Sequence, residues 1–401
     1  MQSFELTDMA LDTIASFASL GRVKLGEMPD LIAKMHEHPS DAARFYMGLF
    51  QLFTITGNND FAQSMQARAL ALNTIYRVEG SSQPSIRLLA FMVAGTITDN
   101  TPLDYLIENS DIQLDVVYLV PGEPLPDLLP EHDVAIIAFG ESDKDLSSLE
   151  MMKAIVDDWP RPILNRPQRV LFCARDKLYA LIRDIPDLLI MPTLRVDRAS
   201  LENITVANAT ISAVLGGGTY PITVRPLVSH GGKGLSKIEN VMELQNYLAN
   251  APESEFFVSF FSEYRSVDGY YRKVRIALID GVPYVCHLAI GEHWIVHYQT
   301  ANMADSIEKR EEEARFMREF DTDFARRHQV ALSTLAERLG LDYVVIDCAE
   351  TIAGELLIFE IDNRGWIHAT DDINVFGYKQ AVMNKAFAAF RAMLVKAMHA
   401  C

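Results

Sequence analysis

Three carboxylates toward the carboxyl end of the chain have the type and spacing to hold a hard cation. Asp347 lies in the apolar run Tyr343-Val-Val-Ile-Asp-Cys-Ala-Glu350, and after a turn at Ala353-Gly354 the run Leu356-Leu-Ile-Phe359 leads into Glu360-Ile361-Asp362. In a strand, residues i and i+2 share a face, so Glu360 and Asp362 stand side by side while Ile361 points inward. Like charges that close need a cation. Oxygen donors of this kind suit Mg²⁺, which takes one or two carboxylates and completes its octahedron with water and phosphate oxygens, with Mn²⁺ as the alternative ion. The competing reading is an acidic surface hairpin, and the apolar Leu356–Phe359 stretch weighs against it.

Upstream, Thr219 to Ile238 reads as a strand, a glycine-rich turn and a second strand. Tyr220, Ile222 and Val224 alternate as a half-buried strand requires. Arg225 supplies a fixed positive charge at its end. In the turn Ser229-His230-Gly231-Gly232-Lys233-Gly234, the glycines let backbone N–H groups approach an anion, the layout of a phosphate-holding flap. An ordinary glycine-rich hairpin is the alternative, and the downstream carboxylates favour the phosphate reading.

With these motifs in this order, the chain from residue 169 onward resembles the ATP-grasp superfamily of carboxylate–amine ligases, which includes glutathione synthetase and the D-alanine ligases. Asp176-Lys177, Ile185-Pro186 and Met191-Pro192-Thr193 look like the start of the ATP-binding half. The resemblance implies that Lys177 and Arg225 hold the nucleotide phosphates. It likewise implies that Phe256–Phe261 leads to the adenine hinge, with Val258, Ser259 and Phe260 as backbone contacts. The family often has an acidic residue where Ser259 stands, which leaves Asp268 or Glu263 as the ribose partner. Tyr270–Gly281 is similar to the family's arginine-bearing strand, and the resemblance places Arg275 against an acyl phosphate. Arg272, three residues earlier, faces the other way in a regular strand and has a different job. Two departures stand out. Val345 occupies the place of the arginine that D-alanine ligases carry two residues before the metal-binding Asp, and Asp362 stands where many members have Asn.

The resemblance implies an ATP- and Mg²⁺-dependent enzyme that activates a carboxylate as its acyl phosphate and joins it to an amine, releasing ADP and phosphate. Fixed charge must offset the repulsion between a carboxylate and the γ-phosphate, and a closing flap must keep water from the intermediate. Small-molecule or peptide carboxylates and amines are the implied substrates. Two other readings stay open: an ATP-binding adaptor or regulator with a helical protein-interaction domain, and a small-molecule kinase that stops at phosphoryl transfer.

His287-Leu-Ala-Ile-Gly-Glu-His-Trp-Ile-Val-His-Tyr298, read as a strand, carries three histidines and a tryptophan. Its spacings do not make a zinc site. His297, or His368 in the stretch after the carboxylates, is a candidate general base for the incoming amine, and satisfied histidines packed against Trp294 are the alternative. Arg364 is a second candidate there, as a partner for a substrate carboxylate.

Composition adds limits. With 36 basic against 54 acidic residues the formal charge is −18, which argues against a nucleic-acid partner. Four widely spaced cysteines, at 173, 286, 348 and 401, suggest neither a zinc site nor a disulfide framework, and fit a reducing cytoplasm. No basic leader or long apolar segment suggests secretion or membrane insertion.

Hydrophobic periodicity divides the chain in three. Residues 1–80 carry helical spacing, as in Ala43, Tyr46, Met47, Phe50 and Phe53, and are expected to form an all-α, tetratricopeptide-like domain suited to docking a peptide or protein, to homodimerisation, or simply to packing on the body. Residues 85–168 alternate strand and helix, a Rossmann-like three-layer α/β domain with a parallel sheet. The resemblance implies that residues 169–401 form an α+β ATP-grasp unit, with flap and hinge over about 195–265 and the carboxylates over about 266–401. Residues 306–339 read as one or two amphipathic helices whose Glu-rich start faces solvent.

Overall fold

Strands Ile86–Val93 (β4) and Ile112–Leu119 (β5) are apolar almost throughout, because both faces of their sheet are covered. In this computed structural model, which describes residues 5–22, 42–81, 83–227 and 232–400, successive β4 side chains enter two different cores. Leu89, Phe91 and Val93 join one; Leu88, Ala90 and Met92 join the other. Among the described residues the sheet has the order β2-β3-β5-β4-β7-β8, with β2 Asp12–Ile14, β3 Ile75–Val78, β7 Val134–Ile137 and β8 Ile163–Leu164. The β4, β5, β7 and β8 strands run parallel, and β3 is antiparallel to β5. A short parallel pair, β1 (Glu5–Thr7) with β6 (Leu128–Pro130), lies beside it.

The expected all-α domain over residues 1–80 is corrected here. Helices Ala42–Ile55 and Asn59–Leu70 form a hairpin, but β2 and β3 fall in the same span and extend the sheet. Met47, Phe50, Ala62 and Ala69 bury into the core shared with Leu88 and Val116, so the helices cover one face of the sheet. The segment becomes strand by pairing with β5 on one side and β2 on the other, and Tyr76 is wholly enclosed there. Residues 23–41 of the expected helical region lie outside the described residues.

A four-stranded antiparallel sheet follows, in the order β10-β13-β11-β12: Thr193–Asp197 (β10), Glu255–Phe260 (β13), Ile222–Pro226 (β11) and Ser236–Ile238 (β12). It has its own core, in which Val224 and Val258 meet Leu201 and Leu244 of two covering helices. The remaining sheet has the order β15-β14-β16-β17-β9: Val282–Gly291 (β15), Tyr271–Ile279 (β14), Tyr343–Glu350 (β16), Leu356–Asp362 (β17) and Leu188–Ile190 (β9). The stretch expected as one strand to Tyr298 ends at Gly291. There the chain folds back and Val296 packs on the glycine.

Side-chain-to-backbone bonds join the first sheet to the last. Asn363 Nδ2 donates to the Phe139 carbonyl at 2.8 Å, Thr101 Oγ1 donates to the Asn363 carbonyl at 2.9 Å, and Asn165 caps Tyr343 through both its backbone groups. Among the described residues no helix is long and apolar enough to cross a membrane.

Candidate active site

Register across three antiparallel ladders places four chemically capable side chains in one row. His287 on β15 is opposite Arg275 on β14, Arg275 is opposite Asp347 on β16, and Asp347 is opposite Glu360 on β17. Residues directly opposite each other share a face, and so do residues two apart along a strand. Lys273 therefore joins Arg275, and Asp362 joins Glu360, on this surface.

Each carboxylate meets a cation. Arg275 forks onto Asp347 with Nε at 2.8 Å and Nη2 at 2.9 Å, and Lys273 Nζ reaches the same carboxylate at 3.0 Å. Burial would raise the Asp347 carboxyl, but Arg275 and Lys273 hold it well below the usual carboxylate range. Glu360 pairs with Arg175. Burial again raises it, and Arg175 and Arg225 more than reverse that, to about 2. Asp362 accepts from Arg364 Nε at 2.9 Å. Arg364 also approaches Glu141, and it packs so closely on Gly140 that a Cβ there would overlap the guanidinium.

This surface floors a cavity of about 530 Å³. The four-stranded sheet forms the opposite wall, with Thr223 and Arg225 from β11 and Ser259 and Phe260 from β13. The alternation that buries Ile222, Val224 and Pro226 is what turns Thr223 and Arg225 to the cavity. Burial, and then repulsion from Arg175, lowers the Arg225 guanidinium to about 10. Two arginines thus share this part of the cavity, their repulsion partly offset by Glu360.

Of the flap residues, Ser229, His230 and Gly231 lie outside the described residues. Gly232 has φ +72° and lines the cavity, so close to His297 that a Cβ would overlap Nε2. Gly234, also at φ +72°, packs on Pro226, and Lys233 is exposed. His297 Nε2 is buried with no hydrogen-bond partner among the described residues, and burial followed by Lys273 lowers its basicity. Along β13 the Val258 side chain is buried in the small core, and Val258 and Ser259 are paired on both sides, whereas Phe260 is paired only with Ile222. Backbone groups open to a ligand therefore begin at Phe260 rather than at Val258.

Four expected residues are placed elsewhere. Lys177 is exposed and outside the cavity lining, while Arg175 enters it; residues two apart on a helix do not face the same way. Asp268 and Arg272 bind each other at 2.9 and 2.6 Å, with Glu312 as the second partner of Arg272 at 2.6 Å, on the other face of β14. His368 is outside the cavity lining, packed against Trp366 and Tyr105 with Nδ1 at 3.0 Å from Thr370 Oγ1. Sequence reasoning overlooked Arg175 and Lys273. The period-two rule applied backward from Arg275 would have found Lys273, but nothing local distinguishes Arg175 from Lys177.

The three acidic positions are hard oxygen donors on one surface, of a type that fits Mg²⁺. Among the described residues they are not gathered as a group of three that could hold a metal ion, and a cation of the protein stands at each. Glu360 and Asp362, each with one arginine partner, are more accessible to an incoming ion than Asp347, which has two cationic partners and is 7% exposed.

No protein-family profile matches the chain, and no curated relative matches it. Solved structures with a similar arrangement include the D-alanine–D-alanine ligase from Bacillus anthracis complexed with ATP, with 11% identity, 78% of this chain and 97% of that chain covered, and a TM-score of 0.43. The VanG D-Ala:D-Ser ligase from Enterococcus faecalis is similar at 13% identity over 79% of this chain and 100% of its own, with a TM-score of 0.47. A RimK domain ATP-grasp protein from Sphaerobacter thermophilus is similar at 15% identity over 77% and 99%, with a TM-score of 0.43.

Proposed function

We propose that the protein is an ATP-dependent ligase that activates a carboxylate as its acyl phosphate and joins it to an amine, releasing ADP and phosphate. One observation carries this reading: the row Arg275–Asp347–Glu360 faces Arg225 across a cavity of about 530 Å³, with Arg175, Lys273 and Arg364 on the same cavity. A volume of this order suits a nucleotide or a similarly sized ligand. Five fixed cations against the three carboxylates Asp347, Glu360 and Asp362 leave its lining with an excess of positive charge, which a triphosphate and a carboxylate need in order to approach.

In this reading the triphosphate lies between Arg225 and Arg175, and the base lies against Phe260 and Phe261 beyond the end of β13. An oxygen of the substrate carboxylate attacks the γ-phosphorus and ADP departs. The amine nitrogen then attacks the acyl carbon and phosphate leaves. Arg275 stabilises the charge that develops on the acyl phosphate. His297, kept neutral by burial and Lys273, takes the amine proton. Gly232, pressed on His297, brings the flap to the place where water must be excluded. Mg²⁺ accompanying the nucleotide would be held by Glu360 and Asp362, with Asp347 behind them, and would offset phosphate charge.

The test is ADP and phosphate release with Mg-ATP against a panel of amino acids, small carboxylates and short peptides, run beside Glu360→Gln. Panel-dependent release that the variant loses, with a product mass equal to two components less water, supports the ligase. Release without condensation selects a kinase, and absence of ATP binding overturns the reading.

A further inference from the structure

The Glu-rich start of helix Ile307–Glu319 does not simply face solvent. Glu313 is fully buried beneath β15. Its Oε1 accepts from the Leu288 amide at 3.1 Å, and its Oε2 accepts from the hydroxyls of Tyr298, at 2.7 Å, and of Tyr378. Lys379 Nζ stands 3.7 Å from Glu313, 2.9 Å from Asp371 and 3.7 Å from the centre of the Tyr298 ring. Burial pushes the Glu313 carboxyl up, and Lys379 with the two hydroxyls works against that push.

Such a group is costly to bury, and only complete hydrogen bonding offsets the loss of water. What it holds is specific. Trp294, Ile295, Val296, His297 and Gln299 line the large cavity, whereas Tyr298 turns away from it and its hydroxyl ends on Glu313. The tyrosine is thus a peg through the wall. Its ring also packs 4.7 Å from that of His287, which stands opposite Arg275.

We propose that Glu313 is the positioning residue that fixes the 294–299 wall, and with it His297, against the Arg275–Asp347 row. This rests on the ligase reading for its kinetic consequence and on geometry alone for the anchoring. Side chains remote from the chemistry act in this way because a misplacement of about 1 Å in a reacting group costs on the order of 100-fold in rate.

Tyr298→Phe and Tyr378→Phe provide an internal control. Each deletes one hydroxyl that donates to Glu313 Oε2, but only Tyr298 belongs to the wall. The expected result is a fall in kcat of about 10- to 100-fold for Tyr298→Phe, with ATP affinity kept, and little change for Tyr378→Phe. Glu313→Gln, which still offers a carbonyl to both hydroxyls, should retain more turnover than Glu313→Ala. Amide exchange of residues 294–299, measured without substrate, should rise in Tyr298→Phe and stay unchanged in Tyr378→Phe. Equal effects of the two phenylalanine variants, or unchanged exchange in Tyr298→Phe, overturn the anchor. If the wild type turns over no substrate the ligase reading fails, and the exchange comparison alone decides the anchor.

Discussion

Arg275 and Asp347 face each other on adjacent antiparallel strands and meet as a two-pronged ion pair, Nε to Oδ1 at 2.8 Å and Nη2 to Oδ2 at 2.9 Å. The remaining terminal nitrogen, Nη1, donates to the Trp366 carbonyl at 3.1 Å. Every nitrogen of the guanidinium is therefore oriented before any ligand arrives, which is the condition for electrostatic stabilisation without reorganisation.

Arg275→Lys keeps the charge and loses the fork. A lysine ammonium is a compact point charge and cannot reproduce the two parallel bonds to Asp347 together with the one to the Trp366 carbonyl. Turnover should fall about 100-fold, the scale of losing one oriented donor to a developing anion, with ATP binding retained. Steady-state kinetics beside calorimetric ATP titration checks this; joint loss of binding and turnover would move Arg275 into nucleotide capture.

Arg175 and Lys177 should separate cleanly. Arg175→Ala removes a cation from the cavity and the partner of Glu360, and should weaken ATP binding by about 10- to 100-fold, the worth of a charge-assisted hydrogen bond. Lys177→Ala, at an exposed position outside the lining, should leave the dissociation constant alone. The reverse ranking by titration would restore the lysine as the phosphate ligand.

Gly232→Ala places a methyl group where His297 Nε2 now lies, on a backbone with φ +72° that disfavours any side chain. Strain of about 1–3 kcal/mol should reopen the flap locally. The expected outcome is slower coupled turnover with more ADP released per product formed, because water reaches the intermediate. A product-to-ADP ratio equal to that of the wild type would show that Gly232 has no part in excluding solvent.

Acid should destabilise the protein in part through Glu360. Its folded value, about 2, lies below the ordinary 4.5, so its contribution to stability is present above pH 4.5 and is lost as pH falls toward 2. Arg175→Ala removes the largest favourable partner and should move that loss to higher pH. Denaturant midpoints compared between pH 7 and pH 3 read it directly. A wild-type-like pH profile in the variant would mean that Arg225 alone sets the Glu360 carboxyl.

Local spacing was enough to pair Glu360 with Asp362 on one face, to set Arg225 on the face opposite Ile222 and Val224, to mark a glycine turn at 232 and 234, and to separate Arg272 from Arg275. These follow from the two-residue period of a strand and from the missing Cβ of glycine, both properties of a few consecutive residues. The N-terminal helices were also recognisable from apolar spacing. Their status as a separate domain was not, because Tyr76 and Ile75 become strand only when β5 lies beside them.

Contacts between distant segments had to come from packing. Arg275, Asp347 and Glu360 are brought opposite one another by ladder register, and a slip of one residue would send each to the other face. Arg175 rather than Lys177 enters the site because the helix meets β17 at one particular rotation. Glu313 reads as one more surface glutamate in Glu311-Glu312-Glu313, yet it is the one that rotates inward, where two tyrosines and Lys379 converge on it. Charge on a helix reveals that a residue wants water or a partner; which of the two it receives is decided by what the rest of the chain packs against that face.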